Sequence, residues 1–382
     1  MNTLHDILRQ HVDRGTAPGA VALVARGDDV EVVTVGSVDT DGTAPMARDS
    51  IFRIASITKP ITAAAVLMLV EDGLLGLDSP VEEWLPELAK PAVVRTPSAA
   101  VDDVVPAARP ITVEDLLSSR TGWGFPADFS LPAVQSLFTV QKDGRALQQW
   151  PDPDTWLGLL AQVPMLYQPG EAWLYGTSSD LQGILVARAS GRTLPDFLAE
   201  RIFEPLGMKD TAFDVPASKR HRFTSAYSTA PDATLHLSDT PDGEWNRVPS
   251  FHSGGGGLAS TADDWLAFAR LLLRAGTAPD GRRLLSPTSV SRMTTNHLTA
   301  EQRDSATLFL EGQGWGYGGQ VDVTPSDPWN VPGRYGWVGG TGTTAHIVPQ
   351  TETVTILLTQ AAMQNPTPTP LMRDFWRATA GS

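Results

Sequence analysis

Ser56 and Lys59 stand three residues apart in Phe52-Arg53-Ile54-Ala55-Ser56-Ile57-Thr58-Lys59-Pro60. A serine hydroxyl is a weak nucleophile until a neighbouring base takes its proton. Residues three apart on a helix share a face, so an amine at Lys59 reaches back to Ser56. The run that follows, Ile61–Leu69, is apolar nearly all round, which predicts a helix buried in the protein. Ser56 falls at the natural cap position of that helix, where its own N–H is free to meet an oxyanion. Pro60 is tolerated only in a first turn and supports a helix start here. The same tetrapeptide also reads as a cap followed by a surface lysine, although a buried lysine is costly to leave unpaired.

Two further segments carry groups that would complete such a site. In Pro169-Gly170-Glu171-Ala172-Trp173-Leu174-Tyr175-Gly176-Thr177-Ser178-Ser179-Asp180 a turn leads into an extended piece and then a helix opening near Ser178 or Ser179. A tyrosine oxygen beside a Ser–Lys pair can pass a proton to a leaving group. Tyr175 equally reads as an ordinary half-buried aromatic, and Asp180 as a brace of the helix. The segment Tyr335-Gly336-Trp337-Val338-Gly339-Gly340-Thr341-Gly342-Thr343-Thr344 is glycine-rich just before a strand. Such backbone lets a substrate approach closely and would supply a second oxyanion N–H; it also reads as a plain turn.

The elements that must hold these residues are legible at both chain ends. Leu4, Ile7, Leu8 and Val12 recur at helical spacing. Val21–Ala25 and Val30–Val35 flank Arg26–Asp29, a hairpin pattern; Thr344–Val348 and Val354–Thr359 flank Pro349–Glu352, a second one. A helical pattern follows at Leu371–Ala378. One sheet closed by N- and C-terminal segments is the expectation. The middle carries helical patterns at Thr112–Ser118, Thr155–Val163, Ser179–Ala189 and Leu194–Ile202, with loops at Arg95–Pro110 and Gly122–Pro132. Ser260–Asp263 followed by Trp265, Leu266, Phe268, Ala269, Leu271 and Leu272 predicts another capped helix, with Gly276 as its stop. The expected organisation is a discontinuous sheet lobe over 1–75 and 250–382, a mainly helical lobe over 76–249, and a site in the cleft between them.

Composition narrows the chemistry. The chain of 382 residues has no cysteine, which excludes disulfides and a thiol nucleophile. Its formal charge of −14 argues against a broad nucleic-acid surface. The N-terminus lacks a basic region followed by a long apolar one, and no stretch is long enough to span a bilayer, so a cytoplasmic protein without a membrane partner is expected. Seven histidines show no metal-ligand spacing, and no G-x-S-x-G elbow is present. Gly314-x-Gly316-x-x-Gly319 matches a dinucleotide fingerprint in form only, since it opens no predicted helix. Trp123, Trp150, Trp156, Trp173, Trp315 and Trp329 are read chiefly as packing, some of them as walls of an apolar pocket.

The ordered set Ser-x-x-Lys, Tyr, then glycine-rich strand resembles the serine β-lactamase and penicillin-binding-protein superfamily. The nearest branch is the class C β-lactamase-like group with the family VIII carboxylesterases. Ile111–Gly122, Glu204–Thr211 and Gly254–Asp264 fit the same pattern, so the resemblance runs from about residue 5 to 375. It implies a mixed α/β fold, an antiparallel sheet flanked by helices beside a helical lobe. It implies Ser56 as nucleophile, Lys59 as its activator, Tyr175 as general base or proton shuttle, and the N–H groups of Ser56 and Gly340 as oxyanion hole. Trp337, Gly339, Thr177, Thr341 and His252 are the expected substrate-contacting residues.

Two positions depart from the β-lactamase pattern. Trp337-Val338-Gly339 stands where those enzymes have Lys-Thr-Gly, and Tyr175-Gly176-Thr177 where they have Tyr-x-Asn. The lost lysine removes a cation that would attract a lactam or peptide carboxylate, and tryptophan offers an apolar wall. Both changes favour a neutral ester. The expected activity is therefore cleavage of carboxylic esters through an acyl-enzyme on Ser56, with no metal or organic cofactor. The alternatives are an amide hydrolase of the same fold, a β-lactamase or D-peptidase, and a non-catalytic penicillin-binding or sensor protein.

Overall fold

The protein is described here by a computed structural model over residues 3–142 and 147–380. Helix α1 (Leu4–Asp13) opens on a capping box in which the Thr3 hydroxyl and the Asp6 carboxylate each take the other's backbone N–H. Strands β1 (Gly19–Arg26) and β2 (Asp29–Gly36) follow as the expected hairpin. The core helix α2 spans Lys59–Glu71, α3 Thr177–Ser190 and α4 Ala262–Leu273. The sheet is completed by β3 (Gly314–Trp315), β4 (Gln320–Val321), β5 (Tyr335–Gly339), β6 (Thr343–Val348) and β7 (Thr353–Thr359), and α5 (Pro370–Thr379) closes the chain.

The seven strands run β2-β1-β7-β6-β5-β4-β3, every neighbouring pair antiparallel. The first and last long strands are therefore neighbours: Leu23 faces Ile356 on one side and Val32 on the other. Strand β1 is buried at seven successive residues and β7 at six, so both faces of the sheet are covered. Helices α1 and α5 pack on one another and on the sheet, while α4 packs against β1, β6 and β7. The G-x-G-x-x-G stretch forms the short β3–β4 hairpin and opens no helix.

The middle of the chain departs from its sequence reading in detail. Arg95–Pro110, expected as a loop, carries the strand Val104–Pro106, which pairs with Ala92–Val94. The helix expected over Leu194–Ile202 changes at Leu198 into a wider π turn, Ala199–Phe203. Helix α2 is buried from Lys59 through Leu69 and packs on α3. Gly254 is wedged between these two helices; a Cβ there would lie 2.5 Å from the Ser179 carbonyl oxygen and 2.8 Å from Thr62 Cγ2. The Thr62 hydroxyl closes the contact by donating to the Gly254 carbonyl at 2.8 Å.

Candidate active site

The segment carrying Ser56 is held from several distant parts of the chain. The Thr341 and Thr343 hydroxyls donate to the carbonyls of Arg53 and Ile54 at 2.6 and 2.9 Å. The Ile54 N–H donates to Leu258 O, and the Trp265 indole N–H to Ile57 O. Within this frame Ala55 adopts φ 45°, a left-handed conformation that is costly for a residue with a Cβ. Ser56 then lies in a 3₁₀ turn, Ala55–Thr58, and α2 begins only at Lys59. This corrects the expected cap position of Ser56: its hydroxyl is engaged by side chains across the site, and no side chain caps α2.

Lys59 Nζ donates to Ser56 Oγ at 3.0 Å and to the Gly255 carbonyl at 2.6 Å. The Tyr175 hydroxyl lies 2.7 Å from Ser56 Oγ, and the Trp337 indole N–H donates to the Tyr175 oxygen at 3.0 Å. The ammonium also sits 4.8 Å from the centre of the Tyr175 ring. The structure thus brings Ser56, Lys59, Tyr175 and Trp337 into one hydrogen-bonded chain. Gly340 lines the same cavity, and among the described residues neither its N–H nor that of Ser56 meets an acceptor.

A second layer fixes Lys59. Asp180, 3 % exposed on α3, accepts from Ser253 Oγ at 2.5 Å, Gly255 N–H at 3.1 Å and Gln141 Nε2 at 3.2 Å. It thereby clamps the loop whose Gly255 carbonyl receives Lys59. Burial pushes the Asp180 carboxyl above the usual carboxylate range, outweighing the opposing pull of Ser253, Lys59 and Gly255. Asp180, read from the sequence as a cap or brace of its helix, instead holds a loop more than seventy residues away.

Ser56 opens into a cavity of about 330 Å³ lined by Phe125, Trp150, Tyr175, Phe309, Trp337 and Met363, among others. Phe309 stacks on Tyr175 with ring centres 4.8 Å apart. Phe125, Phe309 and Met363 carry no motif, and no signal in the sequence marks them. Of the tryptophans noted above, Trp150 lines the cavity. Trp123, Trp156 and Trp315 are in the core, and Trp329 stands beside Trp376.

Of the five expected substrate contacts Trp337 lines this cavity, and Thr177, Gly339, Thr341 and His252 are not among its lining residues. The Thr177 hydroxyl is buried and donates to Gln141 Oε1. Gly339 packs on the nucleophile segment: a Cβ there would lie 2.5 Å from Ile54 O. Thr341 holds Arg53 O, as described. His252 turns from the cavity to stack edge-on against Phe213 at 5.1 Å, while its neighbour Ser253 faces Asp180. Burial holds the His252 imidazole below its ordinary value. Among the described residues no cluster of His, Asp or Glu is arranged to hold a metal, and no helix is long and apolar enough to cross a membrane.

Known proteins are similar to this chain in sequence and in fold. Protein Rv1367c of Mycobacterium tuberculosis is 38 % identical over 365 residues, covering 92 % of this chain and 88 % of that protein. Esterase EstB of Burkholderia gladioli is 32 % identical over 318 residues, 78 % of this chain and 74 % of its own. The solved structure of EstCE1, described as a hydrolase with promiscuous acyltransferase activity, superposes with a TM-score of 0.80 at 25 % identity, covering 99 % of this chain and 97 % of its own. The family model named Beta-lactamase matches residues 4–373. With that match across nearly its whole length, the chain belongs to the Beta-lactamase family.

Proposed function

We propose that the protein is a serine hydrolase that cleaves carboxylic esters through an acyl-enzyme on Ser56. The observation that carries this reading is the convergence of Lys59 Nζ and the Tyr175 hydroxyl on one serine oxygen, at 3.0 and 2.7 Å. In the first step Ser56 Oγ attacks the ester carbonyl and its proton passes into the Lys59–Tyr175 pair. The carbonyl oxygen, now an anion, is met by the N–H groups of Ser56 and Gly340. Tyr175 protonates the departing alkoxide, and its oxygen is stabilised by the Trp337 N–H while it carries negative charge. Water then attacks the acyl-enzyme along the reverse path and releases the acid.

The preference for esters rests on the cavity wall. Trp337 stands where the family pattern has a cation, and Phe125, Phe309 and Trp150 continue an aromatic lining suited to an alcohol moiety, with Lys142 and Gln141 also on the wall. Two relatives named as esterases, EstB and the lovastatin esterase of Penicillium rubens, are each 32 % identical and agree with this preference. EstCE1 is described as a hydrolase with promiscuous acyltransferase activity, and transfer from the Ser56 acyl-enzyme to an acceptor other than water is the corresponding side reaction here.

Purified protein is offered a p-nitrophenyl ester and a chromogenic cephalosporin, beside Ser56→Ala. Ester turnover that disappears in the variant is the expected result. Lactam turnover without ester cleavage moves the assignment to a lactamase, and stoichiometric labelling without turnover to a sensor. Full ester activity in Ser56→Ala refutes the mechanism.

A further inference from the structure

A second cavity, of about 260 Å³, adjoins the catalytic one, and Ala55 and Gly256 line both. Thr341, on its wall, directly follows Gly340 in the chain. Its far side is formed by the hairpin Ala226–Thr229/Leu235–Asp239, which contributes Tyr227, Ser228 and Ser238. Neither Tyr175 nor Trp337 reaches it.

That placement gives the cavity a direction relative to the reaction. In a tetrahedral intermediate on Ser56 the oxyanion faces the two free N–H groups and the leaving oxygen faces Tyr175. The acyl chain must take the remaining direction, away from Tyr175 and its aromatic wall. The second cavity, which shares Ala55 and Gly256 with the catalytic one and lacks Tyr175 and Trp337, offers room in that direction.

The lining sets the chemistry of what fits. Serine, threonine and tyrosine hydroxyls and the amides of Gln148, Gln149 and Gln360 predominate among its polar groups. Thr341, Thr359 and Ser228 already donate to Arg53 O, Gly342 O and His236 O, and Tyr227 accepts from the Thr40 N–H. The Ser225 and Ser238 hydroxyls and the Gln360 side-chain oxygen are among the groups left to meet a guest. The one cation, Arg53, is 5 % exposed and already paired with Asp239 at 2.5 Å, with its guanidinium 4.1 Å over the Phe223 ring. The remaining charge, Glu244, is exposed and disfavours an anionic guest. Gln360 is 4 % exposed, and its side-chain oxygen has no donor among the described residues. At roughly the 30 Å³ that a water molecule takes in the liquid, the space holds on the order of nine heavy atoms.

We propose that this cavity is the acyl pocket, and that it selects neutral acyl groups carrying a hydroxyl several carbons from the ester. The proposal rests on the ester-hydrolase reading and deepens it. The enzyme would then have two unlike halves, an aromatic one for the alcohol and a hydrogen-bonding one for the acid.

The test compares p-nitrophenyl acetate, whose acyl group is too short to enter, with the p-nitrophenyl esters of hexanoate and 6-hydroxyhexanoate. The intact enzyme should favour the hydroxylated chain over hexanoate in kcat/KM. Ser228→Phe fills the cavity from the hairpin and should lower the 6-hydroxyhexanoate-to-acetate ratio of kcat/KM at least tenfold. Ser238→Phe, on the exposed strand of the hairpin, does the same should Ser228→Phe fail to fold. A ratio unchanged within twofold, or a preference for plain hexanoate, overturns the proposal. If no ester is turned over, the ester-hydrolase reading fails, and the cavity is judged by binding. Methyl 6-hydroxyhexanoate should give saturation-transfer NMR signals with Ser56→Ala that vanish when Ser238→Phe is added. Equal signals in the two proteins, or none in either, overturn it.

Discussion

Replacing Trp337 by Phe tests whether the indole N–H takes part in proton transfer or the ring is only a wall. The N–H donates to the Tyr175 oxygen at 3.0 Å, and that oxygen lies 2.7 Å from Ser56 Oγ. If Tyr175 gives its proton to the leaving group, its oxygen carries negative charge in the transition state. A hydrogen bond to a charged group contributes about 1.5–3 kcal/mol, against about 0.5–1.5 for a neutral pair. The bond exists before reaction as well, so kcat loses only the difference, about 1–1.5 kcal/mol, or roughly 5- to 13-fold at 1.36 kcal/mol per tenfold. The phenyl ring keeps the apolar face, so KM should move less than threefold. Trp337 is 3 % exposed and packed edge-on against Trp315 at 4.8 Å, so the smaller ring also lowers stability. That effect, about 1–2 kcal/mol and a fraction of the cost of full truncation, is read separately by urea unfolding. The assay is steady-state hydrolysis of p-nitrophenyl acetate below the unfolding range. A kcat within threefold of the parent, with only KM raised, would falsify the proton-transfer role and leave the indole as wall alone.

Three further outcomes follow from the packing and the buried titratable groups. Asp180→Asn keeps the shape but presents an amide donor to the three donors of Ser253, Gly255 and Gln141; it should cost about 2–4 kcal/mol in urea unfolding, and an unchanged midpoint refutes the clamp. Gly254→Ala sets a Cβ 2.5 Å from Ser179 O, so α2 and α3 must separate at a cost of about 2–3 kcal/mol; wild-type stability would show that the contact relaxes freely. Burial, aided by Arg334, holds the His346 imidazole well below its ordinary value near 6.5, so below that pH the unfolded chain binds a proton that the folded one refuses. Its contribution is complete above about pH 6.5 and is lost as pH falls, by at most about 1.4 kcal/mol per pH unit. His346→Gln should flatten the stability curve between pH 6.5 and 5 by that slope, and an identical slope in the variant assigns the acid loss to other groups.

The chain ends and the Ser56–Lys59 pair were legible because their signals are local. Short β-branched runs flanking turn residues mark β1, β2, β6 and β7, and three-residue spacing on one turn brings Lys59 to Ser56 whatever surrounds them. Tyr175 stood out only through the order of motifs, since nothing local tells a tyrosine at a serine oxygen from one in a core. Thr177, Gly339, Thr341 and His252 stay off the catalytic cavity's wall for a common reason. Position in a motif fixes a residue's neighbourhood but not the direction of its side chain. Just before Gly254, Ser253 reaches Asp180 while its neighbour His252 packs against Phe213. Thr341 and Thr343, two apart, both turn to the carbonyls behind Ser56. The cavity wall was illegible for another reason: Phe125 and Phe309 arrive from separate parts of the chain, and only the packed fold sets them beside Tyr175.

The left-handed turn at Ala55 shows why the site needs the whole chain. An alanine at φ 45° costs about 1–2 kcal/mol relative to its preferred regions. Within residues 52–58 the Ile57 N–H reaches Ile54 O only at 3.4 Å; stronger bonds to Arg53, Ile54 and Ile57 come from Leu258, Trp265, Thr341 and Thr343. At about 0.5–1.5 kcal/mol each they exceed the strain together but not singly. The conformation that leaves the Ser56 N–H without an acceptor therefore exists only once β6 has paired with β5 and α4 has packed on the sheet. Ser56 and Lys59 are neighbours in any helical turn. Their usefulness depends on strands nearly three hundred residues away.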